Sequence, residues 1–276
     1  MKKHWLTILL VLVLVVGLSL MLYPTVSNWW NSMHQSMVVS NYVEQVANMD
    51  NQTYKEVLNQ AKEYNKLLAS SPNDLMLNGA QQARYEECLD ITGTGVMGYI
   101  EIPSIDVKLP IYHGTSEPVL QVAVGHLSWT SLPVGGESSH CVLSGHRGLP
   151  SARLFTDLDR LKVGDVFTLF VLDESITYKI DQILVVEPEE TNPLMIVNGQ
   201  DYCTLTTCTP YGINSHRMLL RGSRVADSES DGVRVTADAV RIDPLIVAPF
   251  IAIPMLLILS AFLLTSKPKK NRRKSS

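Results

Sequence analysis

The residues best suited to chemistry lie between Cys203 and Gly222, in CTLTTCTPYGINSHRMLLRG. A strand-forming run ends on Cys208, a Pro-Tyr-Gly-Ile-Asn turn comes next, and a second apolar run opens with Arg217. A thiol attacks as its thiolate, so it needs a cation or a base within reach. If residues 209–216 form a hairpin connection, Arg217 returns on the adjacent strand beside Cys208. Its guanidinium could then stabilise a thiolate, or an oxyanion on a tetrahedral intermediate. Thr209-Pro210 ends the first strand, which puts the thiol at a rim or cleft. The plain alternative is a structural cysteine and an arginine paired to a surface carboxylate, and a Cys…Arg spacing alone does not beat it.

The base must come from elsewhere among seven histidines. His4 falls in the N-terminal flank and His34 in a helical segment. His113, His126 and His140 lie in or beside turn-rich segments, and His216, next to Arg217, would face away from it on a strand. His146, in VLSGHRGLP, comes after the strand Cys141–Leu143 and is bordered by Gly145 and Gly148, which permit a tight loop. A histidine at a glycine-bordered strand exit is placed as site residues often are. On the residues alone its margin over His113 and His126 is narrow.

The remaining cysteines, Cys88, Cys141 and Cys203, do not make a disulfide-dense scaffold. Cys203 and Cys208 are an odd number apart and so point to opposite faces of one strand. Cys141 reads as a small buried hydrophobe. Bridges Cys141–Cys203 and Cys88–Cys141 stay open. No close His/Cys/Asp/Glu cluster has ligand spacing, so neither a metal nor another cofactor is expected. The acidic pair Glu189-Glu190 reads as a solvated turn.

The elements that must position these residues change texture along the chain. From Val26 to about Ser70 the apolar residues recur at helical spacing, as in Tyr54, Val57, Leu58, Ala61, Tyr64 and Leu68, which predicts two helices broken near Asp50-Asn51. A simple stalk would satisfy this pattern. SSPNDLMLNG, residues 70–79, reads as a loop, and a short polar helix is expected over Ala80–Leu89. From Met97 the chain becomes a series of short β-rich pieces such as GYIEIPSIDVKLPIY, DVFTLFVL and YCTLTTC, which predict a closed or nearly closed β-barrel. One helix is expected to interrupt it at LPSARLFTDLDRL, with Leu154, Leu158 and Leu161 on one face. The whole is mainly β.

Both ends of the chain carry an apolar run. Trp5 to Tyr23 is uncharged and about as long as a bilayer crossing requires, roughly 20 residues. It exceeds the roughly 7–15-residue apolar region of a cleaved signal peptide, so a retained anchor is expected. A second run, Leu245 to Leu264, precedes KPKKNRRKSS. Positive flanks stay cytoplasmic, so residues 1–4 and 265–276 are expected inside and residues 24–243 outside, in a two-pass protein of the cell membrane. The net charge of −4 includes those basic tips, and no basic stripe is interleaved with aromatics, which argues against nucleic acid as a partner.

TLTTC followed by Arg217 resembles the TLxTC…R signature of sortases, the Gram-positive cysteine transpeptidases. GYIEIPSIDVKLPIYHGT, GHLSWTSLPVGGESSH, LSGHRGLPSARLFTDLDRLKVGD and TLTTCTPYGINSHRMLLRG are similar to class C, the pilin-polymerising sortases, from about Met97 to Arg224. The resemblance implies an eight-stranded sortase barrel over 97–226. An N-terminal helical arm over 24–96, a linker over 227–243 and the two flanking transmembrane helices, 5–23 and 245–264, complete the expected organisation. It implies Cys208 as nucleophile, His146 as general acid and base, and Arg217 holding the substrate and the oxyanion. The implied substrate is a pilin with a C-terminal LPxTG-like signal, cleaved between Thr and Gly and transferred to a lysine amine of another pilin. One departure is visible. Class C enzymes usually carry an Asp-Pro-aromatic lid, and Ser71-Pro72-Asn73-Asp74-Leu75 has neither that order nor the aromatic. Two other readings remain open: a sortase that uses a cell-wall precursor amine as acceptor, and a non-enzymatic adhesin-like membrane protein.

Overall fold

The N-terminal apolar run folds as the start of helix α1 (Trp5–Ala47), which carries Pro24 within it. Its most apolar window has a mean hydropathy of 2.8 and none of it is buried, so by length and composition this helix can cross a membrane. The computed structural model describes residues 5–70 and 77–225. The expected second span, 245–264, and residues 71–76 of the expected 70–79 loop lie outside the described residues. The described chain forms two units, one ending at Val26 and one beginning at Ser27.

The chain breaks where the sequence predicts, because Asp50 caps the second helix. Its carboxylate accepts the N–H groups of Gln52 and Thr53 at 2.9 and 3.0 Å, the side-chain cap that starts a helix. Helix α2 (Asn51–Ser70) then buries Ala61, Tyr64 and Asn65, and helix α3 (Gly79–Glu87) opens with a capping box between Asn78 and Gln81. These helices are no stalk. Asn65 is almost fully buried and pairs with the backbone of Leu132 in both directions, at 2.7 and 3.1 Å. Tyr42, on α1, donates to Met97 O at 3.0 Å and accepts the Leu172 N–H at 2.7 Å.

Eight strands alternate inward and outward residues. They are β1 (Val96–Ile102), β2 (Val107–His113), β3 (Val124–His126), β4 (Ser139–Ser144), β5 (Val166–Val171), β6 (Glu174–Val186), β7 (Asp201–Thr209) and β8 (His216–Arg224). A one-turn helix α4 (Glu117–Leu120) separates β2 from β3. The strands close into a barrel in the order β1-β2-β3-β4-β7-β8-β6-β5. The β2–β3 and β4–β7 pairs are parallel and the others antiparallel. Ile100, Ile111, Leu143, Phe167, Leu205 and Leu220 fill the interior and are fully buried. Burying so many large apolar side chains, at roughly 1.5–3 kcal/mol each, dominates what holds the barrel closed.

The helix expected over 149–161 does not form. Only Leu158–Arg160 makes a 3-10 turn, and the rest is irregular. The backbone groups find other partners: Arg153 N–H donates to Asn28 Oδ1 at 2.8 Å, and Phe155 N–H donates to His146 O at 3.1 Å. Leu154, at φ 37°, bends the chain so that Leu154, Phe155 and Leu158 all enter the core. The leucine spacing is thus met by an inward-folded loop.

Candidate functional site

Strand register builds the site. Antiparallel pairing sets Cys208 directly opposite Arg217 on β8, and parallel pairing sets Ser144 of β4 opposite Thr206 of β7. Two further bonds extend that ladder: Gly145 N–H donates to Thr206 O at 3.1 Å, and Thr207 Oγ1 donates to Gly145 O at 2.8 Å. His146 follows Gly145 directly, so the chain leaves β4 at the end of the wall where Cys208 lies on β7. Cys208 and Arg217 are thus register partners, and His146 exits the neighbouring strand at the same end.

Their face is set by alternation. Cys203 and Leu205 point into the barrel, so Thr204, Thr206 and Cys208 point outward. On the same outer face Val142, Val186, Leu194 and Leu219 form a second apolar cluster, edged by Leu127, Trp129 and Leu184. Cys208 is half-buried at the head of this surface. Arg217 donates only to backbone, to Asn214 O at 3.3 Å and His216 O at 3.1 Å. Among the described residues no carboxylate lies within salt-bridge reach of it.

The loop bearing His146 is held from several sides. Phe155 packs under Gly145, where a Cβ would come 2.7 Å from the ring. Gly148, at φ +77°, lies against Tyr211 of the β7–β8 turn, where a Cβ would come within 2.7 Å. The chain downstream is tied to α1: Asn31 Nδ2 donates to Ser151 O at 2.8 Å. The imidazole Nε2 of His146 faces Glu117 Oε2 at 3.7 Å. Nothing in the sequence singled out Glu117, because a lone acid on a one-turn helix has no spacing signature.

The competing histidines are structural. His126 and His140 are buried, and both rings bond inside the barrel wall. Burial pulls His140 down to about 4. His113 bridges Gly95 O and Cys88 O at 3.0 and 2.8 Å, and burial lowers it too. His216 faces Glu187. All four cysteines are free, although Cys141 and Cys203 are register partners inside the barrel. Burial, reinforced by the neighbouring Cys141 sulfur, pushes the Cys203 thiol far up.

Comparison with known proteins agrees with this fold. A family model described as the sortase domain matches residues 100–225. The crystal structure of sortase C1 from Streptococcus agalactiae is 52% identical over 69% of this chain and 99% of that one, with a TM-score of 0.68. A Streptococcus pneumoniae sortase C structure, described for catalysis and pilin substrate specificity, is 43% identical over 69% of this chain and 97% of its own, with a TM-score of 0.62. A Clostridium perfringens sortase C structure with the C-terminal cell wall sorting motif is 44% identical over 69% and 99%, also at 0.62. With a matching family model across the barrel and a solved relative matched over nearly its full length, this chain belongs to the sortase family of transpeptidases.

Proposed function

We propose that this protein is a membrane-anchored class C sortase that joins pilin subunits through isopeptide bonds. The observation that carries the reading is the register pairing of Cys208 with Arg217, with His146 leaving the neighbouring strand one residue beyond Gly145, which bonds to β7. An extended sorting signal binds beside half-buried Cys208, at the edge of the buried cluster of Val142, Val186 and Leu219. Its threonine carbonyl then meets Cys208. The sulfur attacks, and Arg217 stabilises the oxyanion with donors that no carboxylate among the described residues competes for. His146 gives a proton to the departing glycine amine, leaving a thioacyl enzyme, and then takes one from the incoming lysine amine. The neighbours described with pilin specificity and with a bound sorting motif support this choice of substrate. The apolar start of α1 anchors the protein, residues 245–264 supply the second span, and the barrel faces outward.

The test is polymerisation by the full chain. Wild-type protein with a pilin bearing an LPxTG-like signal should give high-molecular-weight ladders, and Cys208→Ala should give none while remaining folded in the membrane. Offering a pilin lysine and a cell-wall precursor amine together separates the two acceptor classes by product mass. Ladders persisting in Cys208→Ala end the catalytic reading.

A further inference from the structure

A further charged side chain meets one of the proposed site residues, His146. Glu117 lies beyond His146 on the β3 side, while Arg217 lies beyond Cys208 on the β8 side. Glu117 reaches this place through a backbone close approach. At Gly125 a Cβ would sit 2.3 Å from Gly114 O and 3.2 Å from Thr115 Cα, so glycine there lets the segment leading into α4 rest on β3. Gly125 pairs with Ser144, two residues before His146. Gln121 Nε2 donates to Glu117 Oε1, which leaves Oε2 turned to the imidazole.

The separation of 3.7 Å is too long for a hydrogen bond, and the Glu117 side chain is 69% exposed against 27% for His146. A carboxylate that only oriented the ring would bond it directly from a buried position. This one is open to solvent, so an incoming group can reach it beside the imidazole. The two substrates also differ in charge. A lysine acceptor arrives as an ammonium, which Arg217 repels and Glu117 attracts.

We propose that Glu117 is the acceptor-binding residue: its carboxylate receives the lysine ammonium and delivers it to His146. This rests on the sortase reading of the site. His146, neutral after protonating the departing glycine amine, takes one proton from the ammonium. The freed amine forms the N–C bond as the C–S bond breaks, and the electron pair leaves on the Cys208 sulfur. The second proton lost by the nitrogen passes to that sulfur or to water.

The experiment compares two nucleophiles on one thioacyl enzyme. Full-length protein is given a sorting-signal peptide and a mixture of Nα-acetyl-lysine amide, a cation at neutral pH, and hydroxylamine, which is uncharged there. Because both compete for the same intermediate, the product ratio does not depend on the acylation rate. Glu117→Gln should lower the lysine-to-hydroxamate ratio about three- to fivefold, the scale of an exposed ion pair. Glu117→Asp should restore much of it, Glu117→Lys should lower it further, and added salt should narrow the differences. A ratio equal to wild type in both Glu117→Gln and Glu117→Lys overturns the proposal, since an orienting role would slow both nucleophiles alike. Absence of hydroxamate from the wild-type enzyme would instead sink the sortase chemistry beneath it.

Discussion

Replacing Gly145 by alanine should injure the proposed site by moving His146. The new methyl would fall 2.7 Å from Phe155 Cδ2, 2.8 Å from Cγ and 3.3 Å from Cβ. Carbon atoms settle at about 3.5–4.0 Å, so something must yield by about 1 Å. Phe155 is fully buried in the core and its N–H is bonded to the His146 carbonyl, so it cannot swing aside freely. The strain is shared with residues 145–146, which two bonds tie to β7. Overpacking of this kind costs roughly 1–3 kcal/mol of stability. A displacement of about 1 Å at a reacting group can cost about a hundredfold in rate. In solubilised full-length protein, peptide cleavage should therefore fall far more than the unfolding midpoint. The double variant Gly145→Ala/Phe155→Leu should recover much of the rate, because a smaller, flexible side chain makes room. Wild-type activity in Gly145→Ala, or no recovery in the double variant, would refute the link between Phe155 packing and the position of His146.

Three further outcomes are expected. A mild alkylating reagent at neutral pH should mark Cys208 roughly tenfold faster than Cys88, Cys141 or Cys203, since those three are buried; mass spectrometry of the labelled chain reads this, and equal labelling would count against it. Tyr42→Phe should cost about 1–3 kcal/mol, because the buried Leu172 N–H loses its acceptor; an unchanged denaturation midpoint would contradict the role given to that hydroxyl. His140 is held down to about 4, below its unfolded value of about 6.5, so the unfolded chain takes up its proton first as pH falls. Stability present above pH of about 6.5 should then be lost towards about 4, by up to roughly 3 kcal/mol, and His140→Gln should flatten that slope in denaturant titrations at several pH values.

The sequence made the Cys208–Arg217 pair legible because a hairpin is local: turn residues over 209–216 fix which residues meet. Helix α2 was equally readable from its apolar spacing. What spacing could not reveal was where the helix goes, since the bond between Asn65 and Leu132 joins segments far apart in the chain. Residues 149–161 misled for a related reason. Leu154, Leu158 and Leu161 are apolar because each is buried, and that burial is set by Gly145 above Phe155 and by Asn28 on another helix. Tertiary partners there outweighed helical periodicity. Glu117 was invisible because only the contact at Gly125 gives it a neighbour worth naming.

The parallel pairing of β4 with β7 means that Cys208 and His146 come from chain segments with another hairpin, β5 and β6, threaded between them. No partly formed barrel can align them, because that pairing is among the most distant contacts the wall requires. Until β4 docks on β7, the local β7–β8 hairpin can hold Cys208 beside Arg217 while His146 remains apart from both. The proposed site is thus complete only when the barrel closes.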